Sequence, residues 1–459
     1  MRISAADEAA LRDLAGGYAD HLAGTAEDRL GDFARTANTA RAAHRYRIAV
    51  HGATAGELAA RLREVASGAT PPTRHTRTAT TTAFLFTGQG SQYAGMAQGL
   101  AATEPHFRDA LHECAGLLAP HTDVPLPDLL WGDARHLLEQ TRYAQIGIVS
   151  VQVALVAALR AAGVRPDAVA GHSLGELTAA WAAGVLTLPD LLRLTALRGE
   201  LMQARPATGT MAVVHTGIRA LTAELEKFPG IEIAAHNAPR VHTVSGPEEA
   251  LARFAEQSSF RVRPLKVSHA FHSAVMEPAL APFTDAVAAT PLAPPAIPFA
   301  STLTGAWHSD ATATDPGHWA QAIRRAVRFS QAVTTLAETG PHTVWEIGPH
   351  PQLLPLARAT LAETRPGTDP VWITTLQRGR ADQPQFHAAL AAHHNHTGAD
   401  LHWTALHHGK RQSVTTVPGY PFRRRRFWIT LDVPGTSATG PTTTDSTHPH
   451  ETKRPEHHG

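Results

Sequence analysis

The chain has 459 residues, a near balance of 41 basic and 40 acidic side chains, and one cysteine, Cys114. Its length predicts two to four domains or subdomains at about 150 residues each. A lone cysteine excludes an internal disulfide and a thiolate-rich metal site, and the balanced charge argues against a nucleic-acid binder. Because the N-terminus lacks a signal peptide and no apolar stretch reaches the roughly 20 residues of a membrane span, we expect a cytoplasmic protein without membrane contact.

Residues 1–80 predict a small accessory domain of α/β type. The pattern predicts an amphipathic helix over 1–24, a strand over 41–52 and a second helix over 54–67. The following stretch, 68–82, is rich in Thr and Pro, which is typical of a linker. A domain boundary is therefore expected close to residue 80.

Residues 81–207 predict the first part of a large α/β subdomain. The apolar run 83–87 predicts a buried strand that ends at a Gly-rich turn, and helices are predicted over about 95–162. A second strand is predicted over 167–171, and it too ends at a glycine-containing turn that leads into a buried helix.

Residues 208–270 show a different order of predicted elements, β-α-β-β-α-β. This order predicts a ferredoxin-like small subdomain inserted into the large one. The large subdomain resumes over 271–370, with a helix predicted over 319–336.

The end of the chain predicts two further segments. Residues 371–432 are expected to form a closing segment that wraps back onto the domain. The tail 433–459 has almost no apolar residues to bury, so we expect it to be disordered.

The sequence GHSLG at 171–175 has the G-x-S-x-G pattern of a nucleophile on a sharp strand-to-helix turn. The helix N-terminus that follows would supply N–H groups and positive potential where an oxyanion develops. The pattern is short, however, and Ser173 with Glu176 also forms an S-x-x-E capping box. A plain helix start is therefore the alternative.

Three further stretches carry candidate groups. The GQGSQ loop at 88–92 can direct backbone N–H groups at an anion, although an ordinary turn explains the same pattern. The HAFHS stretch at 269–273 holds two histidines at a subdomain junction, where a base can reach a serine. Arg198, on an otherwise apolar helix, is either solvated or paired with an anion.

Together these stretches resemble the acyltransferase domains of modular type I polyketide synthases and the related malonyl-CoA:acyl-carrier-protein transacylases. The resemblance covers about residues 1–430, and its beginning is similar to the linker domain between ketosynthase and acyltransferase. It implies an α/β-hydrolase-like large subdomain, an inserted ferredoxin-like (βαββαβ) small subdomain and an N-terminal α/β linker domain. The motifs occur in the family's order: FTGQGSQYAGM (86–96), TRYAQ (141–145), GHSLGELTAA (171–180), LRGELMQ (197–203), VSHAFHS (267–273), AVRF (326–329), EIGPHPQL (346–353) and YPFRRRRFW (420–428).

The resemblance implies a catalytic role at each matching position. Ser173 would be the nucleophile, and His272 would be the general base and then the general acid. The backbone amides of Gln89 and Leu174 would form the oxyanion hole. The backbone carbonyl that orients the histidine would be that of Ala322.

The same resemblance implies the substrate pocket. Arg198 would hold the free carboxylate of a malonyl-type unit through a bidentate contact. His269 and Phe271 lie where the family tunes substrate choice, and HAFH resembles the malonyl-selective version, in which Phe271 fills the space of an α-methyl group. Gln145 and Asn237 lie at further matching positions, although their neighbours depart from the family pattern.

The implied reaction is a two-step acyl transfer from malonyl-CoA, through a seryl ester, to the phosphopantetheine thiol of an acyl carrier protein. No cofactor and no metal are expected. Because we find neither an attached ketosynthase nor a carrier-protein motif, we expect an enzyme that acts in trans or a piece of a larger synthase. The alternatives are transfer of another acyl group, an inactive docking module, and an α/β-hydrolase-type esterase, which would order its residues Ser, acid, His.

Two conspicuous stretches are assigned to the surface. The run Arg423–Arg426 indicates a solvated segment anchored by flanking aromatics rather than a nucleic-acid site. His393, His394 and His396 lack a surrounding set of Cys or carboxylate ligands, so they predict a loop rather than a metal site.

Overall fold

The computed structural model describes residues 1–74, 80–207, 209–410 and 412–422. The predicted Arg423–Arg426 run, the polar tail and the end of the closing segment lie outside these ranges. The described strands are β1 (Arg2–Ala5), β2 (Tyr46–Ala49), β3 (Thr73–Arg74), β4 (Thr82–Phe86), β5 (Ala168–Gly171), β6 (Gly209–His215), β7 (Glu232–Ala238), β8 (Val241–Pro247), β9 (Arg261–Pro264), β10 (Phe299–Ala300), β11 (Thr343–Ile347) and β12 (Val371–Thr374).

Helices surround these strands. They are α1 (Glu8–Ala23), α2 (Leu30–Thr39), α3 (Ala55–Ser67), α4 (Gln98–Thr103), α5 (Pro105–Leu118), α6 (Leu126–Leu130), α7 (Thr141–Ala161), α8 (Leu174–Ala182), α9 (Leu188–Gln203), α10 (Ile218–Leu225), α11 (Glu248–Gln257), α12 (Leu280–Ala288), α13 (Asp310–Ala313), α14 (Pro316–Arg324), α15 (Phe329–Leu336), α16 (Leu354–Thr364) and α17 (Asp382–Thr397).

The N-terminal region contains an antiparallel sheet of order β1-β2-β3, with α1 and α3 sharing its apolar core. The predicted helix over 1–24 is wrong at its start, because the first residues form β1, a fully buried strand paired with β2. Helix α1 begins only at Glu8, after Asp7 caps it by accepting a hydrogen bond from the Ala10 N–H. The region is α/β, as expected.

The central sheet has five strands in the order β10-β5-β4-β11-β12, and every neighbouring pair is parallel. Strands β4 and β5 are adjacent, with Phe86 paired to Gly171 at their carboxyl ends. The two glycine-containing turns that follow these strands are therefore brought to the same edge of the sheet, where parallel α/β proteins place their sites.

The segment between α9 and the 3-10 helix Ala274–Ala279 forms a separate four-stranded sheet of order β7-β8-β6-β9. Its strands pair antiparallel, and α10 and α11 complete the β-α-β-β-α-β order. This is the ferredoxin-like topology that the sequence predicts.

The predicted helix over 319–336 is two helices, α14 and α15, separated by residues 325–328. Arg325 has an extended backbone (φ −81°, ψ 159°), which ends α14. No proline or glycine marks this break, so apolar periodicity continued across it.

The predicted loop around His393, His394 and His396 is also wrong, because all three residues lie in α17. Trp345 Nε1–H donates to His393 Nδ1 (3.4 Å), and His394 Nδ1–H donates to the Ala399 carbonyl (2.7 Å). Burial lowers the pKa of each of these two histidines to about 4, so both are neutral core residues.

Helix α7 is, among the described residues, long and apolar enough to cross a membrane by length and composition. This corrects the expectation that no stretch of the chain reaches that length. Most of the helix is buried against the rest of the protein, which is the usual setting of a core helix.

The closing segment runs back along the N-terminal region. Ser413 N–H donates to Asp32 Oδ1 (2.6 Å), and Thr415 N–H donates to Thr36 Oγ1 (2.9 Å). Val417 joins the apolar core of that region. The described part of the closing segment therefore packs against the N-terminal region.

A glycine substitution tests the close packing of α8 on β4. A Cβ on Gly175 would lie 2.2 Å from the Phe86 carbonyl oxygen, so we expect Gly175→Ala to lower the free energy of unfolding by about 1–3 kcal/mol. The matched control is Gly116→Ala in α5, where a Cβ meets nothing within 4 Å. That variant should be stabilised by up to about 0.5–1 kcal/mol, because alanine is the better helix former. Denaturant unfolding of both variants measures the difference, and equal stabilities would contradict the packing described.

Candidate active site

Ser173 lies on the turn between β5 and α8 with a backbone conformation (φ 52°, ψ −107°) that side-chain-bearing residues rarely adopt. The turn is possible because glycines precede and follow it. A Cβ on Gly171 would lie 2.1 Å from backbone atoms of Gly175. The sequence predicts this sharp turn, and its capping-box alternative is not formed, since the Ser173 side chain makes no helix-cap hydrogen bond.

The hydroxyl of Ser173 faces His272 instead. Ser173 Oγ lies 2.8 Å from His272 Nε2, and His272 Nδ1 lies 2.9 Å from the carbonyl oxygen of Arg325. A carbonyl only accepts, so Nδ1 carries the proton and Nε2 is the acceptor for the serine O–H. The two groups have the geometry of a nucleophile and its general base.

The carbonyl that orients His272 is that of Arg325, so the expectation for Ala322 is wrong. Ala322 lies inside α14, whereas Arg325 is the residue just after the helix ends. The extended backbone of Arg325 directs its carbonyl away from the helix and toward the imidazole. Because a carbonyl needs no particular side chain, only the position of the helix break could have identified it.

Burial and nearby positive charge keep His272 neutral. Removal from water is the largest cause, followed by the positive charge of Arg198 and the neighbouring His172, and together they lower the pKa of His272 to about 3. His272 also has a positive φ of 56°, so both members of the pair lie on constrained backbone.

Arg198 projects from α9 to the same serine. Its Nη2 donates a hydrogen bond to Ser173 Oγ (3.2 Å), and the side chain is buried. Burial lowers the pKa of Arg198 to about 10, so the guanidinium stays charged at neutral pH. No carboxylate within the described residues lies at salt-bridge distance from it. Glu176 is the carboxylate that acts on the charge of Arg198, but it makes no direct contact with it. A buried cation with no carboxylate in direct contact, next to a nucleophile, is suited to an anionic ligand.

A cavity of about 590 Å³ opens onto these groups. Among the residues that line it are Gln89, Ser173, Arg198, Met202, Phe271 and His272. Its wall is therefore apolar at Met202 and Phe271 and polar where Ser173, Arg198 and His272 lie. This is the composition of a site for a small ligand with one charged end.

Two backbone amides border the serine without a partner in the described residues. Leu174 is the first residue of α8, where a helix N–H has no intrahelical acceptor. Gln89 lies on the loop after β4 and lines the cavity. These are the amides predicted for the oxyanion hole.

Three residues predicted to bind substrate lie one layer behind the described cavity wall. Gln145 Nε2 donates to Gln89 Oε1 (3.4 Å) and also contacts a methionine that lines the cavity. Asn237 Oδ1 accepts from His172 Nε2 (2.8 Å). His269 uses both ring nitrogens within the protein, at 2.7 Å from Ser268 Oγ and 2.9 Å from the Arg205 carbonyl.

The physical reason for this placement is that these polar side chains are buried and make their hydrogen bonds to neighbouring groups, although Gln145 Oε1 accepts none from the described residues. His269 also packs against the ring of Phe271, with the ring centroids 5.7 Å apart. Of the residues predicted to bind substrate, Arg198 and Phe271 do line the cavity. Met202, Met211 and Thr243, which the sequence did not single out, line it as well.

Comparisons with family models match most of the chain. Residues 83–400 match the acyl transferase domain family, and residues 1–62 match the CurL-like polyketide synthase C-terminal family.

The relatives are segments of larger synthases. The chain is 38% identical over 415 residues to the phenolphthiocerol synthesis polyketide synthase type I Pks15/1 of Mycobacterium marinum, covering 87% of this chain and 19% of that protein. It is 37% identical over 451 residues to the mycoketide-CoA synthase of Mycobacterium tuberculosis, covering 95% of this chain and 10% of that protein. The chain therefore spans between a tenth and a fifth of the length of these two relatives.

Solved structures of the same kind share the fold. The acyltransferase domain from the second module of the salinomycin polyketide synthase is 35% identical, with a TM-score of 0.74, covering 92% of this chain and 98% of that one. The acyl transferase domain of SpnD, in complex with 2-(pent-4-yn-1-yl)malonyl, is 32% identical, with a TM-score of 0.76 and coverage of 87% and 97%. The MCAT of Streptococcus pneumoniae is 27% identical, with a TM-score of 0.60 and coverage of 67% and 99%. With its Ser–His pair on this fold, the chain belongs to the acyl transferase domain family, in the form found in type I polyketide synthases.

Proposed function

We propose that this acyl transferase domain takes a malonyl-type unit from CoA onto Ser173 and passes it to the phosphopantetheine thiol of an acyl carrier protein. The observation that carries the proposal is the convergence of two groups on one oxygen. His272 Nε2 lies 2.8 Å and Arg198 Nη2 lies 3.2 Å from Ser173 Oγ. An acyl group on that oxygen would have a base and a buried cation beside it, which suits an acyl chain that ends in a carboxylate.

In the first step, Ser173 Oγ attacks the thioester carbonyl while His272 Nε2 takes its proton. The oxyanion that forms would be stabilised by the amides of Gln89 and Leu174. The tetrahedral intermediate collapses with cleavage of the carbon–sulfur bond, and the CoA thiolate leaves with the proton from His272 Nε2. The Arg325 carbonyl, 2.9 Å from Nδ1, would stabilise the imidazolium between these events.

The second step reverses the first with a different thiol. The carrier thiol loses its proton to His272 Nε2 and attacks the seryl ester, and Ser173 Oγ leaves with that proton. Two successive transfers through one seryl ester give ping-pong kinetics, and the steps as written use no metal or redox cofactor.

The seryl ester is the first test of the proposal. Wild-type protein incubated with malonyl-CoA should gain the mass of one malonyl group, and Ser173→Ala should gain none. Adding a carrier protein as a separate polypeptide should remove the adduct, and this also tests transfer in trans. No adduct on the wild type, or an adduct that survives Ser173→Ala, would refute the proposal.

Arg198 gives a second test. Because a hydrogen-bonded charge pair is lost, Arg198→Ala should lower the rate of malonyl loading about 10- to 150-fold relative to acetyl loading. The matched control is Arg193→Ala on the same helix, where the side chain pairs with Asp190 (3.3 Å) away from the cavity wall. The control should load both acyl groups at the wild-type ratio. An unchanged ratio in Arg198→Ala would contradict a carboxylate-binding role.

The rate of malonyl loading should be nearly independent of pH. His272 acts as a base when it is neutral, and with its pKa lowered from 6.5 to about 3 it is neutral throughout the range from about pH 5.5 to 7.5. A base with the ordinary pKa would lose activity roughly tenfold between those limits as the pH falls. Single-turnover formation of the malonyl-enzyme, quenched and weighed, gives the profile. Circular dichroism at each pH checks that the protein stays folded, and a tenfold fall centred near pH 6.5 would contradict the depressed pKa.

Phe271 provides a test of acyl selectivity. Its ring occupies the cavity wall, so Phe271→Ala should make room for an α-methyl group. One methyl group is worth about 1–3 kcal/mol, so the ratio of methylmalonyl to malonyl loading should rise about 5- to 150-fold. Competition between the two CoA esters, read as adduct masses on Ser173, measures the ratio. A ratio that stays at the wild-type value would assign the selectivity to other residues.

A further inference from the structure

Behind the nucleophile turn, three ligand-type side chains meet away from the substrate cavity. They are Glu176, three residues after Ser173, and two histidines from distant parts of the chain, His308 and His318. The side chains are almost fully buried, with exposed fractions of 3%, 0% and 5%. Their ligand atoms all lie within 4.8 Å of one another.

The hydrogen bonds around His308 leave a lone pair directed at the carboxylate. His308 Nδ1 lies 3.3 Å from Thr312 Oγ1, and that hydroxyl donates its single proton to the Ser309 carbonyl (3.1 Å). When the hydroxyl donates to that carbonyl, Nδ1 is the donor to Thr312, and Nε2 is then free to offer its lone pair. Nε2 has no hydrogen-bond partner, and it lies 3.5 Å from Glu176 Oε1. A proton on Nε2 or a bound cation would each satisfy these two facing groups, and a metal-content measurement distinguishes the two.

The distances among the candidate ligands approach those of a tetrahedral site. Zinc bonds of 2.0–2.1 Å place tetrahedral ligands about 3.3 Å apart. Glu176 Oε1 lies 3.5 Å from His308 Nε2 and 4.0 Å from His318 Nε2. Ser301 Oγ lies beside these atoms, where it donates to the same carboxylate oxygen (2.9 Å) and is 3.2 Å from His318 Nε2.

The surroundings hold these side chains in place, as the outer contacts of a metal site do. Thr302 N–H donates to Glu176 Oε1 (3.1 Å), and Thr312 holds the His308 ring. The rings of Phe299 and Trp319 lie against His308, with centroid separations of 4.3 and 5.7 Å, and the His308 side chain is fully buried.

We propose that Glu176, His308 and His318 bind a zinc-type divalent cation, with Ser301 Oγ next to the fourth position. Two imidazoles and one carboxylate are ligands that zinc accepts readily. A buried site of this kind is loaded as the chain folds. The sequence predicts no metal, because its clustered histidines lie elsewhere and these three ligands are far apart in the chain. The proposed site departs from that expectation.

The site would connect both halves of the catalytic pair. Glu176 belongs to α8, which begins just after Ser173, and His318 belongs to α14, which ends just before Arg325. One cation would therefore join the helix behind the nucleophile to the helix whose end orients the base. Its role would be structural, since none of its ligands lines the substrate cavity.

Metal content tests the proposal without reference to catalysis. Full-length wild-type protein, produced with zinc in the medium and dialysed without chelator, should carry about one zinc per chain by elemental mass spectrometry. His308→Gln should carry about one fewer. The matched control is His112→Gln, an exposed histidine of α5, which should keep the wild-type content. Because 29 histidines can bind zinc weakly, the difference between variants decides the result.

Two further measurements use the wild-type protein, so the proposal stays testable if His308→Gln fails to fold. Co²⁺ added to the chelator-treated wild type should give the visible bands of a tetrahedral site and should raise Tm by at least about 2 °C. Crystals of the wild type should show anomalous scattering at the zinc edge between the three side chains. Equal zinc in wild type and His308→Gln, octahedral cobalt bands, or no anomalous peak would each overturn the proposal. Loading of Ser173 by malonyl-CoA is measured separately, so the failure of one proposal is distinguishable from that of the other.

Discussion

The conformation of Ser173 is the constraint on which the rest of the site depends. A φ of 52° with ψ of −107° is strained for serine, and strain of this kind costs about 1–3 kcal/mol. It persists because β4, β5 and α8 approach more closely than any side chain would allow. The absence of a Cβ at Gly171 and at Gly175 permits that approach. The turn then presents Oγ at the carboxyl edge of the sheet with the first amide of α8 beside it.

The other groups reach Ser173 from separate elements that this edge brings together. His272 follows the inserted subdomain, and Arg198 lies on the helix that precedes it, so the insertion begins and ends beside the nucleophile. The break between α14 and α15 supplies the Arg325 carbonyl to the imidazole. The inserted subdomain is therefore flanked in the chain by two groups of the site, Arg198 before it and His272 after it.

The sequence predicted the parts of this arrangement that depend on side-chain chemistry and local pattern. The serine turn, His272 and Arg198 lie in short motifs, and the structure brings His272 and Arg198 within hydrogen-bond distance of Ser173 Oγ. The sequence did not predict the features that depend on backbone position or on tertiary contacts. Any residue can supply the carbonyl of Arg325, and the first strand of the N-terminal sheet is too short to show a period.

Polar residues behind the cavity wall show a related limit. A motif places Gln145, Asn237 and His269 near the site, but only tertiary contacts decide whether such a side chain faces the cavity or satisfies its neighbours. The Glu176 cluster is a stronger case, since His308 lies 132 positions beyond it in the chain (308 − 176). Nothing in the local pattern of either residue indicates that they meet.

Arg198, which has no carboxylate in direct contact, also lowers the pKa of the buried His272. Removal from water is the larger cause, and the charge of Arg198 adds to it. In the proposed reaction, a bound malonyl carboxylate would neutralise that charge and so raise the pKa of His272 from its low value in the free enzyme. An acyl donor without a carboxylate would leave the base at its weakest. The preference for a carboxylated substrate would then have two causes. One is binding of the carboxylate at Arg198, and the other is the higher basicity of the His272 imidazole that activates Ser173.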